Sequence, residues 1–445
     1  MHVLIYDPLH SGHHLHWVKL MVRAVAPFAD RITFATTRRS ASSPDYAEHL
    51  REVSKEFTLD DSVGPVELSF VRFEGLRTAR RAWIGLAKAV KRHRPDHVFV
   101  PFGDNLVLAP LVTTPKERKL GLDRTRIDAV FLQSGEFAYR RHLCFRRRAR
   151  ASLGLNCLCR LPFGRLMFID PIVHDWLNDC SPALARRCVL LPDPVSPVPR
   201  HDKSTARAML GLPTDGRLIS CLGVLDKRKG VDEFVRSFAS AALDATDRLL
   251  LAGRATPLVA SAVREVTARI GEGRLISIDR ILTDEELGLA VSAADLVAAT
   301  YRFPQHLGSA SVLIRAAAAR RPVLASEQGW IGHVTRTYSL GWLYPTAPAE
   351  RADSIVQSLD RCAGYVPGEP AEEFARFHSI DRWTQVLTAP FRGARPDSRP
   401  LSTPGDRRDM GTAPELLDRS DAKVMLCSSP VASVDRAAAT NRSDA

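Results

Sequence analysis

A protein that handles a phosphorylated ligand must bring cations and free backbone amides to one place, and two stretches of this chain carry both. Val224-Leu-Asp-Lys-Arg-Lys-Gly230 is a basic loop, with Arg228 and Lys229 at its tip. Gly308-Ser309-Ala-Ser311 opens an alanine-rich segment, and small residues with unpaired amides at a helix start favour anions through the helix dipole. His306 and Ser309 stand at this segment's start, where they could contact the same ligand. Near the start, Ser11-Gly12-His13-His14 lies where a strand turns into a helix, so Gly12 and His13 are candidates to face a ligand. The bland alternative is that one histidine of the pair caps or packs the helix. Asp104, in the polar loop Phe102-Gly-Asp-Asn105, is the best-placed carboxylate of the first half, with a helix cap as the structural alternative.

Alternating strands and helices position these residues. Leu218–Gly223 is a short apolar run stopped by glycine, as a buried parallel strand is. Val231, Phe234, Val235 and Phe238 then share one helical face. Leu249–Gly253 repeats the strand-then-glycine pattern, and Arg274–Ile278, Asp295–Ala299 and Pro322–Ala325 are further strands. Thr283-Asp-Glu-Glu286 is a capping box. In the first half, His2–Tyr6, Arg31–Ala35, Val66–Phe73, His97–Pro101, Ile127–Leu132 and Leu166–Ile169 are the expected strands. Helices are expected over 13–26, 44–56 and 77–94. Each half is an α/β, doubly wound arrangement.

The order Gly223…Lys229-Gly230, Ala252-Gly253, Leu282-Thr-Asp-Glu-Glu-Leu287, Ala293-Ala-Asp295, Arg321-Pro-Val-Leu-Ala-Ser326 and Gln328-Gly329 resembles the donor half of a glycosyltransferase of family 4. The resemblance implies the GT-B architecture, two Rossmann-like domains facing across a cleft. It implies a first, acceptor-side domain over 1–195, a nucleotide-sugar donor domain over 196–365, terminal helices over 366–392 that cross back to the first domain, and a hinge near 195–200. It also implies transfer of a sugar from a nucleotide-diphosphate donor with retention at the anomeric carbon, without a cofactor or bound metal. Lys229 stands at the family's diphosphate-binding lysine; the family's arginine five residues earlier is Val224 here, so Arg228 or Arg254 is expected to replace it.

Three departures qualify the resemblance. Gln133 and Ser134 stand where many family members carry a histidine–aspartate pair, which leaves Glu136 as the candidate acid or base. Asp193 stands at an asparagine position of the interdomain strand. The two glutamates that the family places near the donor sugar and the ribose are Leu307 and Arg315 here, so the donor would be met by His306, Gly308, Ser309, Ser311 and Arg315. Three readings stay open: a subgroup that binds its donor differently, a different donor, or lost activity in a protein that only binds a nucleotide sugar or glycan.

Composition sets the remaining bounds. A chain of 445 residues exceeds what one core fills, so two domains are expected. The net charge of +12 favours anionic partners: nucleotide diphosphates, anionic lipid or nucleic acid; the glycan or lipid-linked acceptor is what the resemblance implies. Arginine-rich stretches over 77–94 and 140–150 would serve an anionic membrane surface, whereas their bland reading is a solvated face. No helix-turn-helix, zinc finger or aromatic RNA-binding signature appears, which argues against nucleic acid. The eight cysteines form no zinc set and suit a reducing compartment. With no signal peptide and no membrane-length apolar run, a cytoplasmic protein, peripheral on the membrane at most, is expected. Residues 393–445 lack sustained periodicity and are expected to be disordered.

Overall fold

The computed structural model describes residues 1–9, 13–66, 72–119, 124–198 and 201–393. Two parallel sheets organise these residues. The first is seven-stranded in the order β3-β2-β1-β4-β5-β6-β7, built from β1 (His2–Tyr6), β2 (Arg31–Thr37), β3 (Thr58–Val63), β4 (His97–Val100), β5 (Arg126–Phe131), β6 (Arg165–Phe168) and β7 (Cys188–Leu190). The second is six-stranded in the order β10-β9-β8-β11-β12-β13, built from β8 (Leu218–Leu222), β9 (Arg248–Ala252), β10 (Leu275–Ile278), β11 (Leu296–Ala299), β12 (Val323–Ser326) and β13 (Gly341–Tyr344). Apolar runs such as Val3-Leu-Ile-Tyr6 and Leu249-Leu-Leu-Ala252 form the inner strands because helices cover both faces of each sheet, so every side chain is buried.

The edge strand β3 departs from the sequence expectation. Thr58-Leu-Asp-Asp-Ser-Val63 pairs with β2, whereas the strand expected over 66–73 gives way at Arg72 to the helix Arg72–His93; residues 67–71 lie outside the described residues. β3 can carry Asp60 because that carboxylate has partners on the helix: it binds Arg92 Nη1 at 2.8 Å and His93 Nε2 at 2.6 Å.

Strand order reverses between β1 and β4 in the first sheet and between β8 and β11 in the second. At such a switch point the following loops diverge to opposite faces and open a crevice at the strands' carboxyl ends. The loops after β1, β4, β8 and β11 carry most of the residues singled out above.

The last helices tie the halves together. Ala371, Phe374 and Phe377, in Glu369–Phe377, pack into the second domain. Trp383, Val386 and Leu387, in Ile380–Thr388, pack into the first, with Trp383 edge-on to Trp17 at 5.8 Å. Beneath them lies a buried ion pair. Arg165 Nε binds Asp128 Oδ2 at 2.7 Å, and its other nitrogens donate to the carbonyls of Val386 (2.9 Å) and Leu387 (2.7 Å). His97 Nε2 lies 3.0 Å from the same carboxylate oxygen. Burial would raise the Asp128 pKa, but His97 and Arg165 outweigh it and hold the carboxyl down at about 2. Of the stretch expected to be a disordered tail, residues 394–445 lie outside the described residues. Among the described residues, no helix is long and apolar enough to cross a membrane.

Candidate active site

The basic loop is folded tightly against the end of β11. Asp226 accepts the Lys229 amide at 2.9 Å and so closes the single turn Lys227–Lys229. Two glycines make the fold possible. Gly223 has φ 81°, and a Cβ there would meet Lys229 Nζ at 2.9 Å; Gly230 has φ 67°, and a Cβ there would lie 2.4 Å from the Thr300 carbonyl. The Lys229 ammonium bends back and donates to the Leu222 carbonyl. Burial, with Arg228 adding, pushes the Lys229 pKa down to about 8. Both cations face the ring of buried Tyr301, Arg228 at 5.4 Å and Lys229 at 5.7 Å from its centroid.

His306 completes the cluster. Its ring lies against Tyr301 with centroids 4.3 Å apart. Nδ1 is 2.9 Å from Arg228 Nη1, and Nε2 is 3.1 Å from the Ser309 carbonyl. Since arginine can only donate, Nδ1 accepts, and Nε2 carries the proton and donates to Ser309. Burial and the charge of Arg228 push the His306 pKa down to about 3, so the ring is neutral.

The loop holding His306 also crosses to the first domain. Phe303 lies edge-on to Tyr139 at 5.6 Å and to His142 at 5.1 Å. Leu307 is 8% exposed and belongs to the first domain's apolar core. Gly308 lies over the Leu132 carbonyl, which a Cβ there would meet at 3.5 Å. Ser309 Oγ donates to Asp193 Oδ2 at 2.6 Å, and Asp193 is held in turn by the buried His378. Arg228, Lys229, His306, Gly308 and Ser309 are thus brought together. Two expected members are placed differently. Arg315, buried, is committed to Asp284 Oδ1 at 2.7 Å, and Ser196 Oγ donates to the other oxygen of that carboxylate at 2.7 Å. Arg254 is exposed, and its side chain makes no hydrogen bond or ion pair to a described residue. Ser311 is exposed at the first turn of Ser311–Ala318.

On the first domain, the two candidate carboxylates are engaged. Asp104 accepts the amides of Leu132 (2.9 Å) and Gln133 (3.1 Å), bracketing the loops after β4 and β5. Its burial, opposed by those amides, raises its pKa to about 6. Glu136 takes both Nε (3.1 Å) and Nη2 (2.9 Å) of Arg147, with Arg150 at 3.9 Å, so part of the arginine-rich stretch is internal wiring. Gly12 lies outside the described residues; His13 begins the helix His13–Val25.

Sequence reasoning passed over three groups. Two of them are Tyr301, just after β11, and Asp226, the cap of the basic turn. Asp7, at the end of β1, is fully buried; one oxygen accepts the Leu9 amide at 3.0 Å and the other lies 3.9 Å from His14 Nδ1. Burial raises its pKa to about 7. The adjacent His13-His14 pair was the available signal, and it is His14 that approaches this acid. Among the described residues, no three His, Cys, Asp or Glu side chains converge where they could hold a metal ion.

Comparison with known proteins agrees with this arrangement. Residues 216–361 match the family model described as "Glycosyl transferases group 1". Sucrose-phosphate synthase from Thermosynechococcus elongatus superposes with a TM-score of 0.66 at 16% identity, covering 88% of this chain and 98% of that one. HepE from Anabaena in complex with UDP and glucose gives 0.57 at 16%, covering 88% and 100%. WaaG, a glycosyltransferase involved in lipopolysaccharide biosynthesis, gives 0.58 at 16%, again over 88% and 100%. The fold is GT-B. The basic loop, Tyr301 and His306 all fall within the part that the family model matches. No curated protein matches the chain by sequence.

Proposed function

We propose that this protein is a glycosyltransferase of the family 4 type that moves a sugar from a nucleotide-diphosphate donor to a glycan or lipid-linked acceptor. The observation that carries the reading is the pairing of Arg228 and Lys229 on Tyr301, at the switch point of the second sheet. In the reaction, the acceptor oxygen bonds to the anomeric carbon while the bond from that carbon to the diphosphate breaks. The acceptor's proton is released, and the nucleoside diphosphate leaves with the electron pair. Negative charge grows on the leaving oxygens, and two fixed cations aimed there lower the barrier. In this reading they do so without a metal or cofactor, and the outcome is retention. The UDP bound by HepE makes uridine the first nucleoside to test.

The acceptor side is read from the first domain's surface. Phe145 is 84% exposed, flanked by exposed Arg141, Arg146 and Arg148. An aromatic among cations suits an anionic membrane face, so a lipid-linked acceptor on a cytoplasmic leaflet fits better than nucleic acid.

One observation favours a second reading, a silent protein that binds a nucleotide sugar or glycan without turnover. Leu307, at the position of a family glutamate, is lodged in the first domain's core. A thermal-shift screen against UDP, GDP, ADP and their sugar conjugates tests both, with Lys229→Ala in parallel. A ligand at 100 times its Kd stabilises by about 2.7 kcal/mol. A shift for one nucleotide that Lys229→Ala abolishes, followed by release of that nucleoside diphosphate, supports the enzyme. Binding without release supports the silent protein, and no shift with any ligand overturns the enzyme reading and leaves a silent glycan binder.

A further inference from the structure

We propose that His306 is a positioning residue, which holds the Arg228 guanidinium beside Lys229 so that the two form a single diphosphate clamp; this rests on the donor-site reading above. Arg228 is a long side chain, 40% exposed, on a short loop. Besides His306 and the face of Tyr301, its charged partner is Asp226, whose Oδ2 lies 3.6 Å from Nε. Asp226 is already used as the cap of the turn through its other oxygen. Without His306, the guanidinium would spread over many rotamers and toward its own carboxylate, and a bound anion would bear the cost of ordering it.

His306 removes that freedom from two sides. Its Nδ1 accepts from Nη1 at 2.9 Å, and its ring packs on Tyr301, the same ring that the guanidinium contacts. The acceptor's chemistry matters as much as its position. A carboxylate in this place would orient Arg228 equally well but cancel its charge. A neutral imidazole orients the guanidinium and leaves the full positive charge, and its remaining N–H groups, for phosphate oxygens. The imidazole is fixed in turn by its donation to the Ser309 carbonyl at 3.1 Å. Because Phe303 and Leu307 on either side of His306 are seated in the first domain, the clamp is set only when the two domains are together.

The test is calorimetric titration of UDP, GDP and ADP into the full chain as wild type, His306→Phe, His306→Gln, Arg228→Ala and the His306→Phe/Arg228→Ala double variant. Phe keeps the ring on Tyr301 and removes the acceptor; Gln offers an oxygen to Arg228 and an N–H to Ser309. With His306→Leu as a second apolar variant, each protein is first checked for a cooperative melting transition. The expected result is a Kd about tenfold weaker in His306→Phe or His306→Leu, the size of one charge-assisted contact. Gln restores most of it, and the Phe substitution adds nothing once Arg228 is Ala. Equal Kd values for wild type and the apolar variants would overturn the proposal. So would a Phe effect of undiminished size in the Arg228→Ala background. Wild type that binds none of the nucleotides would instead overturn the donor-site reading itself.

Discussion

Leu307 of the second domain abuts Gly135 of the first so closely that a Cβ on Gly135 would lie 2.7 Å from the Leu307 Cβ and 2.6 Å from its carbonyl oxygen. The contact fits only because one partner has no side chain. It joins the loop that carries His306 to the turn that carries Glu136, so the two halves of the candidate site meet here.

Gly135→Val should therefore wedge the domains apart. Overfilling a packed contact costs roughly 1–3 kcal/mol. Here the cheaper escape is domain opening, so a larger radius of gyration by small-angle scattering and a lower transfer rate are expected, with little loss of melting temperature. An unchanged radius and rate would mean that the contact is incidental.

Nucleotide affinity should depend on pH through Lys229. Its folded pKa is lowered to about 8, so the ammonium is present below that value and lost above it. Affinity should be flat over roughly pH 6–7 and fall as pH rises past 8. Lys229→Arg keeps a cation at every pH and should flatten the fall, which titration at several pH values measures directly.

The Asp128–Arg165 pair predicts a stability effect far from the site. Asp128→Asn leaves the Arg165 charge buried without its counter-charge and should cost about 3–5 kcal/mol. In the wild type, Asp128 is depressed to about 2 when folded, against about 3.9 in an unfolded chain. Its contribution is fully present above about pH 4 and is lost as pH falls toward 2. Denaturant melts of wild type and variant should converge in that acid range.

Exposed Phe145 and its arginines predict binding to anionic vesicles. Each cation near such a surface is worth about 1 kcal/mol, so Arg146→Glu with Arg148→Glu should weaken sedimentation with phosphatidylserine vesicles by tenfold or more. High salt should do the same, and neutral vesicles should not bind.

Much of the fold was legible because parallel strands buried on both faces write themselves as short apolar runs ended by glycine or a polar loop, as at Leu218–Gly223 and Leu249–Gly253. β3 was not, since Asp60 and Ser62 are paid for by Arg92 and His93 on a helix thirty or so residues away, and alternation alone cannot show a tertiary partner. Lys229 and Gly230 stood out because a basic run ending in glycine is a local pattern, whereas the cap that Asp226 places on that turn was not singled out. The engagement of Arg315 by Asp284, of Glu136 by Arg147 and of Leu307 by the first domain was hidden for the same reason as β3. Each depends on packing between elements distant in sequence, and spacing records only what is local.

The seating of Ile380–Thr388 on the first domain also fixes an order of events during synthesis. Domains made first on a ribosome usually fold first. Here Trp383, Val386 and Leu387 complete the core around Trp17, and the carbonyls of Val386 and Leu387 are what the buried Arg165 binds. The first domain to be translated thus waits, with an open apolar face, until the second has been made and has emerged. The half that begins the chain is the last to be finished.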